Sequence, residues 1–376
     1  MFNHLGHSLL QNLLTREFSK LGYWYERSPS KRFVVTRVPE ENTSSKKRKQ
    51  PDDDVSDRSK KLLGRRHALG PALAPALREV TEDRISDIRW FLTDWQRGGA
   101  ATAYAKLLDK HGKTHEVVIK VPVRLSEIRW LTRMDGLGDE HNVGPIIFEH
   151  GLELGGYDFA WIIMERFAPG PLAAHLDEQA WQQFADVAAR FYARAQHYPV
   201  DQCPRRENWH ALLERARERA QINITDNAQE WNKAIKTVQK SIDSILAVWQ
   251  ARNCDTWCHG DLHPANAMRR DECPDRAYLI DMAEVHAGHW IEDAVYAERL
   301  FWGHPERMLG TSIVERIAES RKKIGLDNGK GYHRLADIRR VLMAATAPAF
   351  LSTEGNPAHL HGTLEILQKT IPAVIR

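Results

Sequence analysis

The sequence predicts an α+β fold of two lobes, with an antiparallel sheet in the first lobe and helices in the second. Residues 85–167 are rich in β-forming apolar segments, whereas beyond Pro169 the apolar residues recur at helical spacing. The chain has 376 residues, of which 42% are hydrophobic and 27% charged, and this is enough for two domains with their own cores. The same composition excludes a disordered chain and a collagen-like repeat.

The sheet is predicted from short segments in which apolar and polar residues alternate. In HEVVIKV (115–121), the apolar side chains of one pleat face alternate with Val118 and Lys120, a period of two. A helix is expected at 125–134, directly after that strand. The predicted strands are 85–95, 97–109 with an opening glycine turn, 115–121, 144–154 and 157–167.

Helices are predicted for the rest of the chain, most clearly over 226–250. Apolar residues there are spaced 4, 3, 4, 3 and 4 apart, which places one stripe along a long helix. The stripe consists of Trp231, Ile235, Val238, Ile242, Ile245 and Trp249. Further helices are expected at 176–197, 310–324 and 333–348.

The first 66 residues differ in composition from the body. They hold 15 Lys or Arg against 8 Asp or Glu, whereas the remaining residues hold 38 against 42. We expect an N-terminal extension over 1–38 with an amphipathic helix, then a charged flexible linker over 39–66. The KKRK run at 46–49 resembles a nuclear import or anion-binding patch, although such runs are more commonly solvated charge. The mildly acidic body gives no reason to expect nucleic acid.

The cysteine count and the lengths of the apolar runs indicate the compartment and bear on membrane association. Four cysteines are too few for a disulfide framework, which favours a reducing compartment. There is no apolar run of about 18 residues and no secretory signal pattern, so we expect no membrane span and a cytoplasmic location.

The residues that carry chemistry lie in WCHGDLHPANAMRRDECPDRAYLIDMAEV (257–285). This segment holds Asp261 in a His-Gly-Asp run, Asn266 five residues later, and Asp281 at the end of a short strand. Carboxylate and amide oxygens are the ligands that Mg²⁺ takes alongside phosphate oxygens. A separate aspartate is needed to orient an acceptor hydroxyl and take its proton.

This segment resembles the catalytic loop of the aminoglycoside phosphotransferase and choline kinase group, the small-molecule branch of the protein-kinase-like fold. That group carries H-G-D-x-x-x-x-N followed by I-D, which HGDLHPAN and LID match. The resemblance implies that Asp261 is the catalytic base, that Asn266 and Asp281 hold Mg²⁺, and that His259 buttresses the loop. It implies ATP or GTP as phosphate donor and a small hydroxyl compound, aminoglycoside- or amino-alcohol-like, as acceptor.

The same resemblance places the nucleotide in the N-terminal lobe, 67–167, against a helical C-terminal lobe, 168–376. It implies that Lys120 on the third strand contacts the α- and β-phosphates. Glu127 lies on the inward face of the following helix, and a buried carboxylate needs a partner, for which Lys120 is the obvious choice.

Two further segments resemble nucleotide-binding elements of the group. The loop that opens the second strand offers Gly98, Gly99 and Thr102 to phosphates, because glycine lets the backbone approach them and present its N–H groups. The segment Met-Glu-Arg-Phe ending at Phe167 resembles the hinge that meets the adenine, with Glu165 and Phe167 as the contacting residues.

Beyond the second metal residue, the group has an aspartate that anchors the loop and opens a helix, and here this is Asp293. Nearby side chains that could line an acidic or aromatic acceptor site are Glu284, His286, His289, Glu292, Glu298, Trp290 and Trp302. Tryptophans in such positions more often belong to the core.

Three alternatives follow from the same residues. Cys258, His259, Asp261 and His263 could form a zinc cluster, although no second Cys/His pair at the usual spacing completes it. The chain could instead be a nucleotide-binding regulatory protein acting through its basic arm. It could also be a protein-modifying kinase, against which the missing A-P-E segment and activation loop argue.

Overall fold

The structure, a computed structural model, describes residues 70–91, 100–135, 142–223, 227–351 and 355–375. The extension predicted over 1–38, the linker over 39–66 and the KKRK run lie outside the described residues. Gly98 and Gly99 of the predicted phosphate loop also lie outside them.

Five antiparallel strands form the sheet that the sequence predicts for the N-terminal part, in the order β1-β2-β3-β5-β4. The elements of this part are helix α1 (70–80), strands β1 (Ile85–Phe91), β2 (Ala101–Leu108) and β3 (Thr114–Val121), helix α2 (Leu125–Met134), and strands β4 (Ile147–Gly151) and β5 (Trp161–Glu165). The five predicted strands and the predicted helix at 125–134 are therefore confirmed, except for 92–95 and 97–99, which lie outside the described residues.

The period of two in the third strand has the structural meaning expected of it. Val117, Ile119 and Val121 are fully buried in a cluster beneath the sheet, to which Leu77 of α1 contributes. Lys120 lies on the opposite face of β3. The strand therefore stabilises the sheet with one face and presents a cation toward α2 with the other.

The helical part is built around α3 (Glu178–Ala195), which Asp177 caps by accepting a hydrogen bond from the Ala180 amide at 2.7 Å. The other helices are α4 (Trp209–Asn223), α5 (Ala228–Gln250), α6 (Ile291–Arg299), α7 (Ile313–Lys323), α8 (Tyr332–Thr346) and α9 (Pro357–Val374). All six residues of the apolar stripe on α5 are buried, as the spacing predicts.

Three helices were not predicted, and each lacks a clear apolar stripe in sequence. The helix α1 contains Pro71 and Pro75, which usually interrupt helices. The helix α4 is rich in charged residues, and two of its buried positions, Ala216 and Ala220, are only alanines. The helix α9 contains Pro372 near its end.

Two small sheets join the halves and form the floor of the cleft between them. Strands β6 (Thr256–Cys258) and β9 (His286–Gly288) pair with each other, as do β7 (Ala267–Arg270) and β8 (Cys273–Leu279). The segment after β5 reaches this floor, where the Arg269 amide donates to the Gly170 carbonyl at 3.0 Å.

Within the described residues, no helix is both long enough and apolar enough to cross a membrane. All four cysteines are free, and Cys258 is buried whereas Cys254 is only partly so. Burial raises the pKa of the Cys258 thiol well above its ordinary value.

Candidate active site

A lysine on the sheet meets two carboxylates at the cleft. The ammonium Nζ of Lys120 lies 2.5 Å from Glu127 Oε1 on α2 and 3.2 Å from Asp281 Oδ1, which follows β8. Burial alone would lower the pKa of Lys120, but the charges of Asp281 and Glu127 outweigh it and raise that pKa. The lysine therefore stays charged and links the sheet to the helical part. The predicted Lys120–Glu127 pair is present in the structure.

The carboxylate of Asp261 receives hydrogen bonds on both oxygens. Tyr296 on α6 donates to Oδ1 at 2.7 Å, and Asn266 Nδ2 donates to Oδ2 at 3.2 Å. The ring of His263 lies 3.5 Å from Oδ1. Burial alone would raise the pKa of Asp261, but His263 and the Tyr296 hydroxyl outweigh it and bring that pKa to about 2. The side chain is thus fixed in orientation and ionised at neutral pH.

Asp293 anchors the loop that carries Asp261. Its Oδ2 accepts from the His259 amide at 2.7 Å and from the Tyr192 hydroxyl at 3.1 Å, and its Oδ1 accepts from the Gly260 amide at 2.8 Å. These contacts show the anchoring role that the resemblance implies for Asp293, at the start of α6.

His259 links the same loop to the strand before Asp281. Its Nε2 lies 3.2 Å from the Ile280 carbonyl, and its Nδ1 lies 3.3 Å from the Asp261 amide. A neutral ring that donates from Nε2 and accepts at Nδ1 satisfies both contacts. Burial lowers the pKa of His259, which favours this neutral form. His259 is therefore a structural support, as expected.

Gly260 is required by both backbone conformation and space. Its φ is +82°, and a Cβ at this residue would lie 2.1 Å from the Glu284 carbonyl oxygen. Any side chain would therefore strain the backbone and collide with the turn after Asp281. The glycine of the motif allows the loop and the turn to touch.

Asn266 and Asp281 are suited to hold a divalent cation. Within the described residues, the Asn266 side chain donates from Nδ2 to the Asp261 carbonyl at 3.0 Å and to its carboxylate, and Oδ1 is left for a ligand. The Ile280 amide donates to the Asn266 carbonyl at 2.9 Å, which brings Asp281 beside it. Asp281 has φ +60°, a left-handed conformation that aspartate tolerates, and its side chain is 43% exposed. These oxygen donors fit Mg²⁺ bound together with phosphate.

The zinc alternative finds no support in the described part of the chain, where no group of three or more His, Cys, Asp or Glu side chains is arranged to hold a metal ion. Cys258 instead donates from Sγ to the His289 carbonyl at 3.2 Å.

Of the three residues predicted for the phosphate loop, Thr102 is the one that lies within the described residues. Thr102 pairs with Lys120 across β2 and β3, so the two side chains share one face of the sheet, and Thr102 is buried. Its place beside Lys120 agrees with a site at the phosphates.

The hinge residues lie where β5 reaches the floor of the cleft. Arg270 binds both carboxylate oxygens of Glu165 at 2.6 Å, and Phe167 stacks on Tyr278 at 5.6 Å between ring centroids. The Glu165 side chain therefore fastens the hinge to β7. Any contact of Glu165 with a base would be made through its backbone.

Most of the residues offered for an acceptor site are buried. Trp290 and Trp302 are 3% and 2% exposed and belong to the core of the helical part. Glu292 and Glu298 are buried in ion pairs with Arg252 and Arg340. The tryptophans thus take the core positions that are more common for them, and the two glutamates are bound by arginines that lie far away in sequence.

Sequence reasoning missed Tyr296, the hydrogen-bond donor to Asp261. A signal for it exists: Tyr296 lies three residues after Asp293 on one helix, so both side chains face the same loop.

Two groups of side chains together form a kinase-type phosphotransferase site. In one, Lys120 on the sheet contacts Glu127 and Asp281. In the other, Asn266 donates to Asp261 on the loop. A sequence model of the APH phosphotransferase enzyme family matches residues 113–337, well over half of the chain. The chain belongs to this family and is an enzyme of the phosphotransferase class with a hydroxyl group as acceptor. No match is found among curated protein sequences.

Solved structures resemble the chain at low sequence identity. An apo thermostable mutant of aminoglycoside phosphotransferase APH(4)-Ia is 12% identical, with a TM-score of 0.48, over 80% of this chain and 99% of that one. A microcompartment-associated aminopropanol kinase is 12% identical, with a TM-score of 0.49, over 77% and 94%. A Plasmodium vivax ethanolamine kinase is 10% identical, with a TM-score of 0.45, over 77% and 82%.

Proposed function

We propose that this chain transfers the γ-phosphoryl group of ATP, or of GTP, to a hydroxyl group of a small molecule. The observation that carries the proposal is the 3.2 Å contact between Lys120 Nζ and Asp281 Oδ1. It joins the phosphate-binding side chain of the sheet to a metal-binding side chain of the helical part. The nucleotide would then lie between residues 67–167 and residues 168–376.

Lys120 would hold the phosphates of the donor. Its charge is maintained by the neighbouring carboxylates, and Glu127 keeps the side chain directed into the cleft. Thr102 shares the face of Lys120, and the glycines 98 and 99 complete the proposed phosphate loop. Charge on transferring phosphates is best stabilised by cations that are already in place, because no reorganisation is then needed.

Asn266 Oδ1 and the Asp281 carboxylate would hold Mg²⁺. When bound, the ion would neutralise charge on the phosphate oxygens and orient them. The left-handed backbone of Asp281 directs its exposed carboxylate beside Lys120, which is where phosphates would meet both groups.

Asp261 would accept the hydrogen bond of the acceptor hydroxyl and orient its oxygen for attack. The acceptor O–P bond forms, the bond from the γ-phosphorus to the β–γ bridging oxygen breaks, the proton passes to Asp261, and ADP or GDP leaves. Because its pKa is about 2, Asp261 is a weak base that takes the proton only as the oxygen bonds to phosphorus. A loose transition state of this kind depends mainly on orientation.

The base of the nucleotide would lie against the hinge. Within the part of the chain that the structure describes, the amide of Phe167 makes no hydrogen bond, so it is available to a base edge. Glu165 would contribute its backbone, since Arg270 occupies its carboxylate. The amino-alcohol- or aminoglycoside-like acceptor and the cytoplasmic location remain predictions.

The experiment is a transfer assay with γ-labelled ATP and γ-labelled GTP, with Mg²⁺ or with excess EDTA. Acceptors are amino alcohols, aminoglycosides, sugars, sugar alcohols and hydroxy acids, and products are identified by mass spectrometry. The proposal expects a phosphate ester that forms only without EDTA. Label found on polypeptide alone, or ester formation unaffected by EDTA, would overturn it.

A further inference from the structure

Three glutamates near the catalytic loop could have formed an acidic acceptor site, but arginines bind all three. Glu298 accepts two hydrogen bonds from Arg340, at 2.7 and 2.9 Å. Glu292 pairs with Arg252 at 3.0 Å, with both side chains buried. Neither carboxylate is left to attract a cationic substrate. Ion pairs of this kind support the fold and contribute no net charge to a ligand.

The third glutamate is bound by two arginines at once. Glu284 pairs with Arg124 at the start of α2, and with Arg205 at 2.7 Å from the loop between α3 and α4. Arg205 also donates to the Glu284 carbonyl at 3.1 Å. One carboxylate thus faces two guanidinium groups, and this cluster carries a net positive charge. We call Arg124, Arg205 and Glu284 the arginine cluster.

The arginine cluster lies beside the catalytic base. The Glu284 carbonyl oxygen that Arg205 binds is the atom against which Gly260 packs, and Gly260 directly precedes Asp261. The side chains of Arg124 and Arg205 are 51% and 44% exposed, whereas that of Glu284 is 15% exposed. Solvent, and therefore a substrate, meets the guanidinium groups rather than the carboxylate.

A third arginine lies near the tyrosine that contacts the base. Tyr296 donates to Asp261, and the guanidinium carbon of Arg299 lies 5.2 Å from the centroid of the Tyr296 ring. Arginines therefore lie near two neighbours of Asp261, which are Gly260 and Tyr296. An acceptor with ammonium groups would meet like charge there, and an acceptor with an anionic group would meet opposite charge.

We infer that the acceptor carries an anionic oxyacid group, a carboxylate or a phosphate, which the arginine cluster binds while a hydroxyl of the same molecule lies on Asp261. This inference rests on the proposed function, and it replaces the amino-alcohol- or aminoglycoside-like acceptor with an anionic one. Guanidinium groups bind carboxylate and phosphate through paired N–H donors, and Glu284 holds these two groups in place beforehand.

The test uses three acceptors that differ only at one end of the same polyol chain: D-gluconate, D-glucitol and 1-amino-1-deoxy-D-glucitol. Phosphate transfer from labelled ATP is measured for each as kcat/KM. We expect gluconate to exceed the amine at least tenfold, and Arg205→Gln to reduce that ratio at least fivefold. Arg129→Gln is the matched control, because Arg129 lies on α2 in an exposed pair with Asp201. It should leave the ratio unchanged.

Each outcome has a distinct meaning. Transfer that depends on Asp261 but favours the amine overturns the inference and leaves the proposed function standing. An equal loss of selectivity in Arg205→Gln and Arg129→Gln also overturns it, since a general change of surface charge would then suffice. If no acceptor is phosphorylated, and ATP is not hydrolysed in a manner that needs Asp261, the proposed function fails together with the inference.

Discussion

The hydroxyl of Tyr296 donates a hydrogen bond to Oδ1 of Asp261 at 2.7 Å, across 35 residues of sequence. Together with Asn266 on the other oxygen, it fixes the carboxylate that is proposed to receive the acceptor hydroxyl. A hydrogen bond to a charged group contributes about 1.5–3 kcal/mol. Tyr296 is therefore a positioning residue, since it acts through Asp261.

Tyr296→Phe removes that donor with little change in volume. Because the carboxylate then turns more freely, we expect kcat to fall roughly tenfold while KM for ATP changes less than twofold. Tyr332→Phe is the control, since its hydroxyl contacts Glu315 at 3.3 Å on another helix. Steady-state kinetics on both variants makes the comparison. An unchanged kcat in Tyr296→Phe would show that the contact does not position the base.

Glu127→Gln tests the pair that directs Lys120. The neutral amide no longer balances the ammonium, so the lysine is drawn toward Asp281 and away from the phosphates. We expect KM for ATP to rise about tenfold. Glu116 lies on the same strand as Lys120, and its partly exposed side chain pairs with Arg166, so Glu116→Gln should change KM for ATP little. Equal effects of the two substitutions would contradict the role of Glu127.

Gly260→Ala tests the contact between the catalytic loop and the turn after Asp281. The Cβ would lie 2.1 Å from the Glu284 carbonyl oxygen, in addition to the cost of a φ of +82°. Gly112 has a φ of +80° and nothing within 4 Å, so Gly112→Ala isolates the backbone cost. By urea unfolding we expect about 1 kcal/mol of destabilisation for Gly112→Ala and about 3 kcal/mol or more for Gly260→Ala. Similar values for both would mean that the loop shifts away without cost.

The lowered pKa of Glu292 predicts that the folded protein loses stability in acid. Burial alone would raise its pKa, but the hydrogen bond of His286 and the charges of Arg339 and Arg252 outweigh it and bring the pKa to about 2. Because the folded-state pKa lies below the ordinary 4.5, the stabilisation is complete above pH 4.5 and is lost as the pH falls toward 2. Its size is on the order of 3 kcal/mol at most.

Glu292→Gln should therefore be less stable than the parent at pH 7, and the difference should shrink as the pH falls from about 4.5 to about 2. Urea unfolding at a series of pH values measures this. Glu365→Gln, on an exposed pair with His361, is the control and should follow the parent at every pH. A difference that does not depend on pH would show that Glu292 contributes packing rather than charge.

The sequence predicted helices and strands correctly where the spacing of apolar residues within one element was clear. The stripe on α5 and the alternation in β3 each depend on residues close in sequence, so spacing was sufficient. The sequence did not predict helix α1, because Pro71 and Pro75 are typical of a break. Packing of the buried Leu77 nevertheless stabilises the helix. Propensity is a weak guide where burial decides.

The site was predicted where a motif matched a family, and missed where partners are distant. Lys120 and Asp281 meet across 161 residues, which no spacing rule shows, and only the resemblance brought them together. Spacing also could not show that the glutamates offered for an acceptor site are bound by arginines. The sequence displays Glu298, but not that Arg340 binds it from two helices further along the chain.

The measurement that tests the central claim most directly compares Asp261→Asn with the parent in Mg²⁺-dependent phosphate transfer. The control is Asp275→Asn, since Asp275 is an exposed residue of β8 that contacts Gln179. We predict that Asp261→Asn keeps its fold by circular dichroism and still binds ATP, while transfer falls by a factor of about 10³ or more, and that Asp275→Asn transfers normally. Transfer by Asp261→Asn at the rate of the parent would contradict the assignment of Asp261 as the base.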